Sequence, residues 1–294
     1  MPIFKIEKQK AQQLSLKRDG FGDEFKLRDF FADNLEEILG VRFLEKEYQI
    51  PGGRIDTLGI DENNSPVIIE YKWKENEDVL SQGLFYLDWL VKNKPHFKLL
   101  VKSKLGQKVE VNWDQPRVIL IAQGFNRYIK SAVQRVDNVE LKTYSLYDGN
   151  VLNLENEYSP LPEKNYSEKK KPVDKPIVTA EYDLNYHLNV ASPEMQKVFN
   201  TLRDLILKLP SVEEKVGQKS GITYRTTKSF TRLEFRKTWI QVLLRHPKYA
   251  EDKKGIVKDV STFGWGFLGM VKFTPDTDIN LLFTLIKASY NSTL

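Results

Sequence analysis

The sequence predicts an α/β protein with a mixed-sheet core flanked by helices, followed by a smaller C-terminal α+β domain. Two short strand-like stretches separated by a turn of Asn, Ser and Pro precede an amphipathic segment of helical length. A continuous apolar run at 117–122 is typical of a central strand covered on both faces. A Pro- and Lys-rich segment, 159–179, then separates this core from a basic region. We therefore predict domains at 1–158 and 180–294, joined by a linker.

Apolar spacing predicts the first elements of the chain. A strand is expected before Lys10, and another over 42–50. A helix is predicted from Asp23 to Leu39, because apolar residues recur at helical spacing and Gly40 is placed to end it. Glu24 falls on the apolar stripe at the start of this helix, where a carboxylate needs an explanation.

The next two predicted strands, Gly53–Asp61 and Val67–Lys72, carry charges in unusual places. The two-residue period of a strand puts Glu70 and Lys72 on the same face. If the strands pair as a hairpin, Asp56 joins them at one end of it. Two carboxylates and a lysine on a half-buried sheet are costly unless a cation and a reaction account for them.

The rest of the first domain continues the α/β pattern. A helix is predicted over 79–92, with Gln82 and Tyr86 on one face because they are four residues apart. Its predicted core stripe consists of Leu80, Leu84, Leu87 and Val91. A central strand, a helix that reaches Val133 and a strand at 139–144 complete the domain.

Asp56 and the Glu70-Tyr71-Lys72 triplet resemble the core of the PD-(D/E)XK nucleases. The residues around them look like the RecB-like branch of that superfamily, which is typified by the NucS (EndoMS) endonucleases. This resemblance covers the predicted first domain and implies a restriction-endonuclease-like fold. It also implies hydrolysis of phosphodiester bonds in DNA, with Mg²⁺ as the cofactor and Mn²⁺ as a substitute.

The resemblance gives individual residues their expected roles. Asp56 and Glu70, with the Tyr71 carbonyl, would hold the metal ion, which prefers oxygen ligands. Lys72 would orient the attacking water or stabilise developing charge. Glu24 matches an acidic residue that the first helix of the family contributes to the metal site. An exposed first-turn acid favoured by the helix dipole explains Glu24 equally well.

Further residues are expected to lie beside the active site or to contact the nucleic acid. Gln82 and Tyr86 match a Gln-x-x-x-Tyr signature of the RecB-like nucleases, where the pair lies beside the active site; an ordinary amphipathic helix is the alternative. Arg54 and Lys74, which flank the acidic positions, are expected to contact nucleic acid. The NucS enzymes carry their DNA-binding domain before the nuclease core, whereas here the extra domain follows it. Their mismatch specificity and their dimer therefore do not carry over.

The C-terminal domain is predicted to open with a helix capped by Ser192, with Pro193 at its first position. A short helix is predicted near Asp278, running through Leu281, Phe283 and Ile286 to the end. Between them lie three predicted strands, at 222–225, 230–235 and 239–244. This part resembles a small α/β domain of unassigned function that recurs beside nucleases and in proteins assigned to transport.

The basic surplus of the chain lies in this C-terminal domain. The formal net charge is +5, and Lys and Arg cluster between Lys215 and Lys258. Five of these basic residues are expected to contact nucleic acid: Arg225, Lys228, Arg232, Arg236 and Lys237. They interleave with four aromatic residues that could stack on bases: Tyr224, Phe230, Phe235 and Trp239. A solvated face and a protein-binding face are the alternatives.

Composition excludes several classes of protein. The chain has no cysteine, and its histidines, His96, His187 and His246, are scattered, which argues against thiolate and His-cluster metal sites. It has no apolar run of bilayer length and no signal-peptide pattern, so we expect a cytoplasmic protein.

The sequence therefore predicts a Mg²⁺-dependent DNA endonuclease acting in repair or in defence against foreign DNA. The alternative is a non-catalytic nucleic-acid-binding module whose C-terminal domain binds a protein. A homodimer and a protein partner are both compatible with the sequence.

Overall fold

The structure is a computed structural model that describes residues 3–73, 79–136, 138–158, 182–261 and 266–294. It divides into two compact units. The first is Met1–Glu37 with Val41–Pro160, and the second is Leu161–Leu294 with Ile38–Gly40. The predicted linker at 159–179 lies outside the described residues, so the predicted domain boundaries stay predictions.

The chain begins with an exposed hairpin of two antiparallel strands, β1 (Phe4–Glu7) and β2 (Lys10–Gln13). The predicted first strand is confirmed but ends before Lys10. Lys8 and Gln9 form the turn with φ of 45° and 67°. A tight two-residue hairpin turn needs this geometry and usually takes Asn or Gly, so the sequence did not indicate it.

The helix predicted from Asp23 to Leu39 is in fact two helices, α1 (Glu24–Asp33) and α2 (Leu35–Leu39). The Asp23 side chain caps the first helix by accepting a hydrogen bond from a backbone amide. Asn34 ends it, because the Asn34 side-chain amide donates to a carbonyl one turn earlier and competes with the helical backbone pattern. The prediction of one continuous helix is therefore wrong at this residue.

The first unit is built on a six-stranded sheet, counted over the described residues. Its strands are β3 (Val41–Ile50), β4 (Gly53–Asp61), β5 (Pro66–Lys72), β6 (Arg117–Ala122), β7 (Val139–Tyr147) and β8 (Val151–Tyr158). They follow one another across the sheet in this order. Neighbouring strands are parallel from β5 to β7 and antiparallel elsewhere. This is the predicted mixed-sheet core, with β6 as the predicted buried central strand.

Three further helices cover this sheet: α3 (Val79–Lys92), α4 (Lys94–Leu105) and α5 (Arg127–Val133). The bounds of α3 are as predicted. We did not predict α4, because Asn93 and Pro95 resemble a helix end in the sequence. Proline is tolerated in the first helical turn, where its missing amide hydrogen would have no intrahelical partner.

The buried side of α3 differs from the predicted stripe. Its buried residues are Val79, Leu80, Gly83, Tyr86 and Leu90, whereas Leu84 and Leu87 are only half-buried. Gly83 lies against the sheet, where an added Cβ would come within 2.8 Å of Val118. This close approach leaves Tyr86 facing the sheet.

The second unit has its own six-stranded antiparallel sheet, again counted over the described residues. The helices are α6 (Leu184–Leu188), α7 (Pro193–Leu207) and α8 (Ile279–Asn291), and the strands are β9 (Glu213–Gln218), β10 (Gly221–Arg225), β11 (Ser229–Phe235), β12 (Ile240–Leu244), β13 (Lys258–Asp259) and β14 (Gly269–Phe273). The strand order is β13-β14-β12-β11-β10-β9. Buried apolar side chains of α7 and α8 form one core with those of the sheet.

The three strands predicted for this unit correspond to β10, β11 and β12, to within one residue at each end. Ser192 caps α7, as predicted, and Asp278 caps α8, which passes through Leu281, Phe283 and Ile286 as predicted. We did not predict β9, β13 and β14. Across the described ranges, no helix is both long enough and apolar enough to cross a membrane.

Candidate active site

The carboxylates of Asp56 and Glu70 each accept a hydrogen bond from a backbone amide where β4 and β5 stop pairing. The regular pairing of these strands runs from Ile60 opposite Pro66 to Thr57 opposite Ile69. At the next position, the Asp56 amide donates to Glu70 Oε1 at 3.0 Å and the Tyr71 amide donates to Asp56 Oδ2 at 3.2 Å. Side-chain carboxylates thus replace the backbone carbonyls of the ladder, and the strand ends open around two acidic groups.

Both carboxyl groups are removed from water. Asp56 is 9% exposed and Glu70 is 2% exposed. Loss of hydration raises the pKa of both groups, and the nearby Asp56 carboxylate further raises the pKa of Glu70, to about 9. Two adjacent buried carboxylates therefore resist being ionised together unless a positive charge joins them.

Lys72 brings positive charge to this pair. It lies two residues after Glu70 on β5, so both side chains are on the same face of the strand. The Lys72 charge lowers the pKa of Asp56 and of Glu70, although burial outweighs it. Its Nζ atom is 3.1 Å from Glu24 Oε1.

Glu24 reaches the site from the first residue of α1. Its side chain is 42% exposed, and its negative charge raises the pKa of Asp56. Glu24 is therefore a partly exposed acid in the first helical turn, as one expectation held, and it also contacts the predicted catalytic residue Lys72. A metal ligand role for Glu24 stays a prediction.

The side chain and the backbone of Tyr71 have different surroundings. The ring is fully buried on the opposite face from Glu70, with its centroid 5.7 Å from that of Phe31. The Tyr71 amide is directed to Asp56, and the carbonyl of the same residue points toward the same neighbouring strand. The main chain of Tyr71, rather than its phenol, therefore belongs to the site.

Tyr86 closes the site from α3. Its ring packs against the start of β4 so closely that a Cβ at Gly53 would come within 2.6 Å of Tyr86 Cε1. Burial and the charges of Glu70 and Asp56 raise the pKa of the Tyr86 hydroxyl, whereas the Arg54 backbone lowers it. The structure therefore places Tyr86 beside the acidic pair, and its predicted role there stays a prediction.

The donor set fits a divalent cation held by two carboxylates. Over the described ranges, no group of three or more Asp, Glu, His or Cys side chains is close enough to hold a metal ion. Mg²⁺ is commonly bound by only one or two carboxylates and keeps several waters. Asp56 and Glu70, both buried and with raised pKa, supply such a pair, whose ionised form a cation would stabilise.

The segment that carries these residues matches a known family. Residues 24–105 match the family model described as the endonuclease NucS C-terminal domain. Residues 24–105 form a NucS-like domain. The matched segment begins at Glu24 and contains every predicted catalytic residue, so the resemblance stated from the motifs is confirmed.

The remaining comparisons describe the rest of the chain. Residues 186–293 match the family described as a domain of unknown function, DUF5655, in agreement with the predicted unassigned domain. An uncharacterised protein of Haemophilus influenzae is 29% identical over 280 residues, covering 90% of this chain and 91% of the relative.

Two solved structures are also similar to part of this chain. A repair endonuclease from Pyrococcus abyssi covers 40% of this chain at 20% identity, with a TM-score of 0.29. A complex of EndoMS with double-stranded DNA covers 46% at 16% identity, with a TM-score of 0.24. The chain spans 44% and 61% of these two structures, respectively.

The other predicted residues of the NucS-like domain are Gln82, Arg54 and Lys74. Gln82 is exposed on α3, one turn before Tyr86. The Arg54 side chain is ion-paired with Glu47 at 2.9 Å and is 43% exposed. Lys74 lies outside the described residues, so its predicted contact with nucleic acid stays a prediction.

Two aromatic residues of the NucS-like domain were not predicted as site residues. Phe25 is 59% exposed and directly follows Glu24, and Phe85 is 45% exposed and directly precedes Tyr86. Phe85 also lies close to Gly52, at the tip of the hairpin between β3 and β4. Their position next in sequence to Glu24 and Tyr86 was the signal that the sequence offered.

The predicted stacking face of the second unit is wrong for three of its four rings. Tyr224, Phe230 and Phe235 are buried in the core of this unit, so they cannot stack on bases. Trp239 is half-buried at the end of the turn between β11 and β12. Alternation along the strands had suggested one face that carries both basic and aromatic residues. A register shift in β10 moves Tyr224 and Arg225 out of simple alternation.

The predicted basic residues of this unit separate into two groups. Arg225 is 5% exposed and donates to the Thr227 carbonyl at 3.1 Å. Arg232 is largely buried and pairs with Glu234 at 3.3 Å, and Lys228 is half-buried. Arg236 and Lys237 are exposed in the turn between β11 and β12. Burial of Arg225 and Arg232 argues against their predicted role in phosphate contact.

Proposed function

We propose that the first unit hydrolyses phosphodiester bonds of DNA as a divalent-metal-dependent endonuclease. The observation that carries this proposal is the opening of β4 from β5 around Asp56 and Glu70, with Lys72 on the same face. The match of residues 24–105 to the NucS C-terminal domain supports it independently. Repair of damaged DNA and cleavage of foreign DNA are both roles that such an activity would serve.

Asp56 and Glu70 would hold the metal ion with the Tyr71 carbonyl. Mg²⁺, or Mn²⁺ in its place, would supply a Lewis acid and a bound water of lowered pKa. The protein contributes a dry and preorganised pair of carboxylates, since each accepts a backbone amide of the neighbouring strand. These amides fix the two carboxylates before any substrate enters.

Lys72 is placed to act on the phosphate. Its ammonium carries three donors and contacts Glu24 through one of them in this structure. The other donors can orient the attacking water or a non-bridging phosphate oxygen. In the reaction a water molecule loses a proton to solvent as its oxygen bonds to phosphorus, the phosphorus–oxygen bond to the leaving nucleotide breaks, and the leaving oxygen takes up a proton.

Tyr86 and Gln82 position this machinery. The Tyr86 hydroxyl lies beside the acidic pair, because the charges of Glu70 and Asp56 raise its pKa. Because Gln82 is exposed one turn earlier on the same helix, it is available to the DNA backbone. Arg54 would add phosphate affinity at the edge of the site once its pairing with Glu47 is exchanged.

Cleavage assays on defined oligonucleotides test this proposal. Asp56→Asn, Glu70→Gln and Lys72→Ala are expected to lose cleavage by at least about a hundredfold, since each removes a charge that the reaction uses. Asp88→Asn, on the exposed side of α3 and paired only locally with Lys92 at 2.8 Å, is the matched control. Duplex, single-stranded, branched and mismatched DNA, together with RNA, form the substrate panel.

The alternative is a nucleic-acid-binding module that does not turn over. It predicts that the parent chain binds DNA but cleaves no substrate of the panel in Mg²⁺ or Mn²⁺. Full activity of Lys72→Ala would instead overturn the role given to that lysine. Retained binding by the three inactive variants in EDTA would show that catalysis, and not the fold, was lost.

A further inference from the structure

The turn between β11 and β12 presents positive charge and an indole on a rigid support. The Arg236 amide donates to the Trp239 carbonyl at 2.9 Å and closes the turn. The Ser192 amide donates to the Lys237 carbonyl at 2.8 Å and ties the turn to the start of α7. The side chains of Arg236 and Lys237 are nonetheless exposed.

Two cations lie over the Trp239 ring. Arg236 Cζ is 5.9 Å from the ring centroid, and Lys272 Nζ is 5.4 Å from it. Lys272 belongs to β14 and lies opposite Gln241 of the neighbouring strand β12. A cation held over an indole is fixed in position and keeps N–H donors for an anion.

Acidic groups only partly offset this charge. Glu234 lies 3.6 Å from Arg236, but it also contacts Arg232 at 3.3 Å and the Gln241 amide at 3.3 Å. Glu194 lies in the first turn of α7, next to the helix start that contacts the turn. Glu234 therefore offsets only part of the charge of Arg236, Lys237 and Lys272, which leaves a positive surface.

A depression with planar walls adjoins the turn. Its volume is about 260 Å³, and its lining includes Arg236, Phe235, Lys219, Tyr186 and His187. The rings of Tyr186 and His187 are 5.2 Å apart, and those of His187 and Phe235 are 5.6 Å apart. The His187 and Phe235 rings are buried, whereas the half-buried Tyr186 offers a planar side chain beside cations, the combination that binds a base and its phosphate.

We propose that this surface, which consists of Arg236, Lys237, Trp239 and Lys272 with the adjoining depression, binds single-stranded nucleic acid. The cations would contact phosphates, one unstacked base would lie against Trp239, and a neighbouring base would enter the depression beside Tyr186. A duplex keeps its bases stacked and cannot offer one to this depression. This assignment concerns the second unit alone and stands whether or not Asp56 supports hydrolysis.

Binding of a fluorescein-labelled oligo(dT) to the full chain in EDTA tests the proposal, because EDTA prevents cleavage. Trp239→Ala is expected to weaken binding about tenfold without changing its salt dependence, since it removes stacking but no charge. Lys272→Gln and Arg236→Gln are each expected to lower the slope of log Kd against log salt by about 0.7. Lys287→Gln, an exposed lysine on α8, carries the same charge change and should leave Kd and slope unchanged.

A second readout localises the contact. Oligo(dT) should quench part of the tryptophan fluorescence of the parent chain, and this part should disappear in Trp239→Phe, which keeps an aromatic ring there. If Trp239→Ala does not fold, the exposed Arg236→Gln and Lys272→Gln variants still decide the question. The proposal is overturned if both behave like Lys287→Gln, or if a duplex binds more tightly than the single strand and is weakened by the same variants.

Discussion

The Asp56 amide donates to the Glu70 carboxylate at 3.0 Å at the point where β4 and β5 stop pairing. This contact makes the acidic pair part of the sheet. The Glu70 carboxylate takes the place of a backbone carbonyl as the acceptor for the Asp56 amide. The site is therefore as rigid as the strands that carry it. Its stability is linked to the protonation of the same carboxylates.

Stability without metal is expected to fall as pH rises, and Glu70→Gln is expected to remove much of that fall. The pKa of Glu70 is about 9 in the fold and 4.5 ordinarily, so the folded state retains a proton that the unfolded state has lost between these values. The contribution is complete below about pH 4.5 and is lost as pH rises through 9. Its steepest slope is about 1.4 kcal/mol per pH unit.

Urea unfolding in EDTA at pH 5 and at pH 8.5 measures this effect. The Gln side chain stays neutral, so the variant should gain stability relative to the parent chain between the two values. The exposed Asp88→Asn serves as a control and should track the parent chain. Parallel pH profiles for Glu70→Gln and the parent chain would show that Glu70 ionises in the fold as it does in water.

Divalent cations are expected to stabilise the parent chain and not the variants that lack one carboxylate. A ligand that binds only the folded state raises the free energy of unfolding, by about 2.7 kcal/mol at one hundred times its Kd. The increase should be larger at pH 8 than at pH 6, because both Asp56 and Glu70 must lose protons to bind the cation.

Thermal unfolding with Mg²⁺, Mn²⁺ or EDTA makes this measurement. Asp56→Asn and Glu70→Gln should show no shift on adding the metal, whereas Asp88→Asn should shift like the parent chain. Equal shifts in all four proteins would place the cation elsewhere in the chain.

The sequence predicted the acidic pair well, because strand alternation decides which side chains share a face. Glu70 and Lys72 are two residues apart on β5, and the short turn after Asp61 fixes how far along β4 their partner lies. What alternation could not predict was the separation of the strands at Asp56. That separation depends on hydrogen bonds between side chain and backbone, which have no sequence signature.

Burial was harder to predict than strand position. Glu140 and Lys142 alternate with apolar residues on β7, a pattern typical of a solvated face, yet each is 1% exposed. They lie in a buried ionic group with Arg117, whose Nε is 3.1 Å from Glu140 Oε1. Partners that come from another strand decide such burial, so one segment read alone cannot show it.

Gly53→Ala is expected to destabilise the protein and to impair the site. The new methyl group would come within 2.6 Å of Tyr86 Cε1, so the ring or the strand must move. Overpacking of this kind costs about 1–3 kcal/mol. Gly124→Ala, where an added Cβ meets nothing within 4 Å, is the matched control.

Chemical unfolding and cleavage rates together check this prediction. A double variant that also carries Tyr86→Leu should recover part of the stability, because the smaller side chain relieves the contact, while cleavage should stay low. If Gly53→Ala and Gly124→Ala have equal stability and activity, the close packing of Tyr86 against β4 does not constrain the site.

Phe25 and Phe85 are expected to contact the substrate, since each is exposed and adjoins a residue of the site. Phe25→Ala and Phe85→Ala should raise KM about five- to tenfold, with a smaller change in kcat, because stacking on an unpaired base adds binding rather than chemistry. Stability should change by less than about 0.5 kcal/mol, as is usual for surface substitutions. Leu99→Ala, which removes an exposed apolar side chain on α4, should leave both constants unchanged. A fall in kcat without a change in KM would instead assign these rings to the positioning of Glu24 and Tyr86.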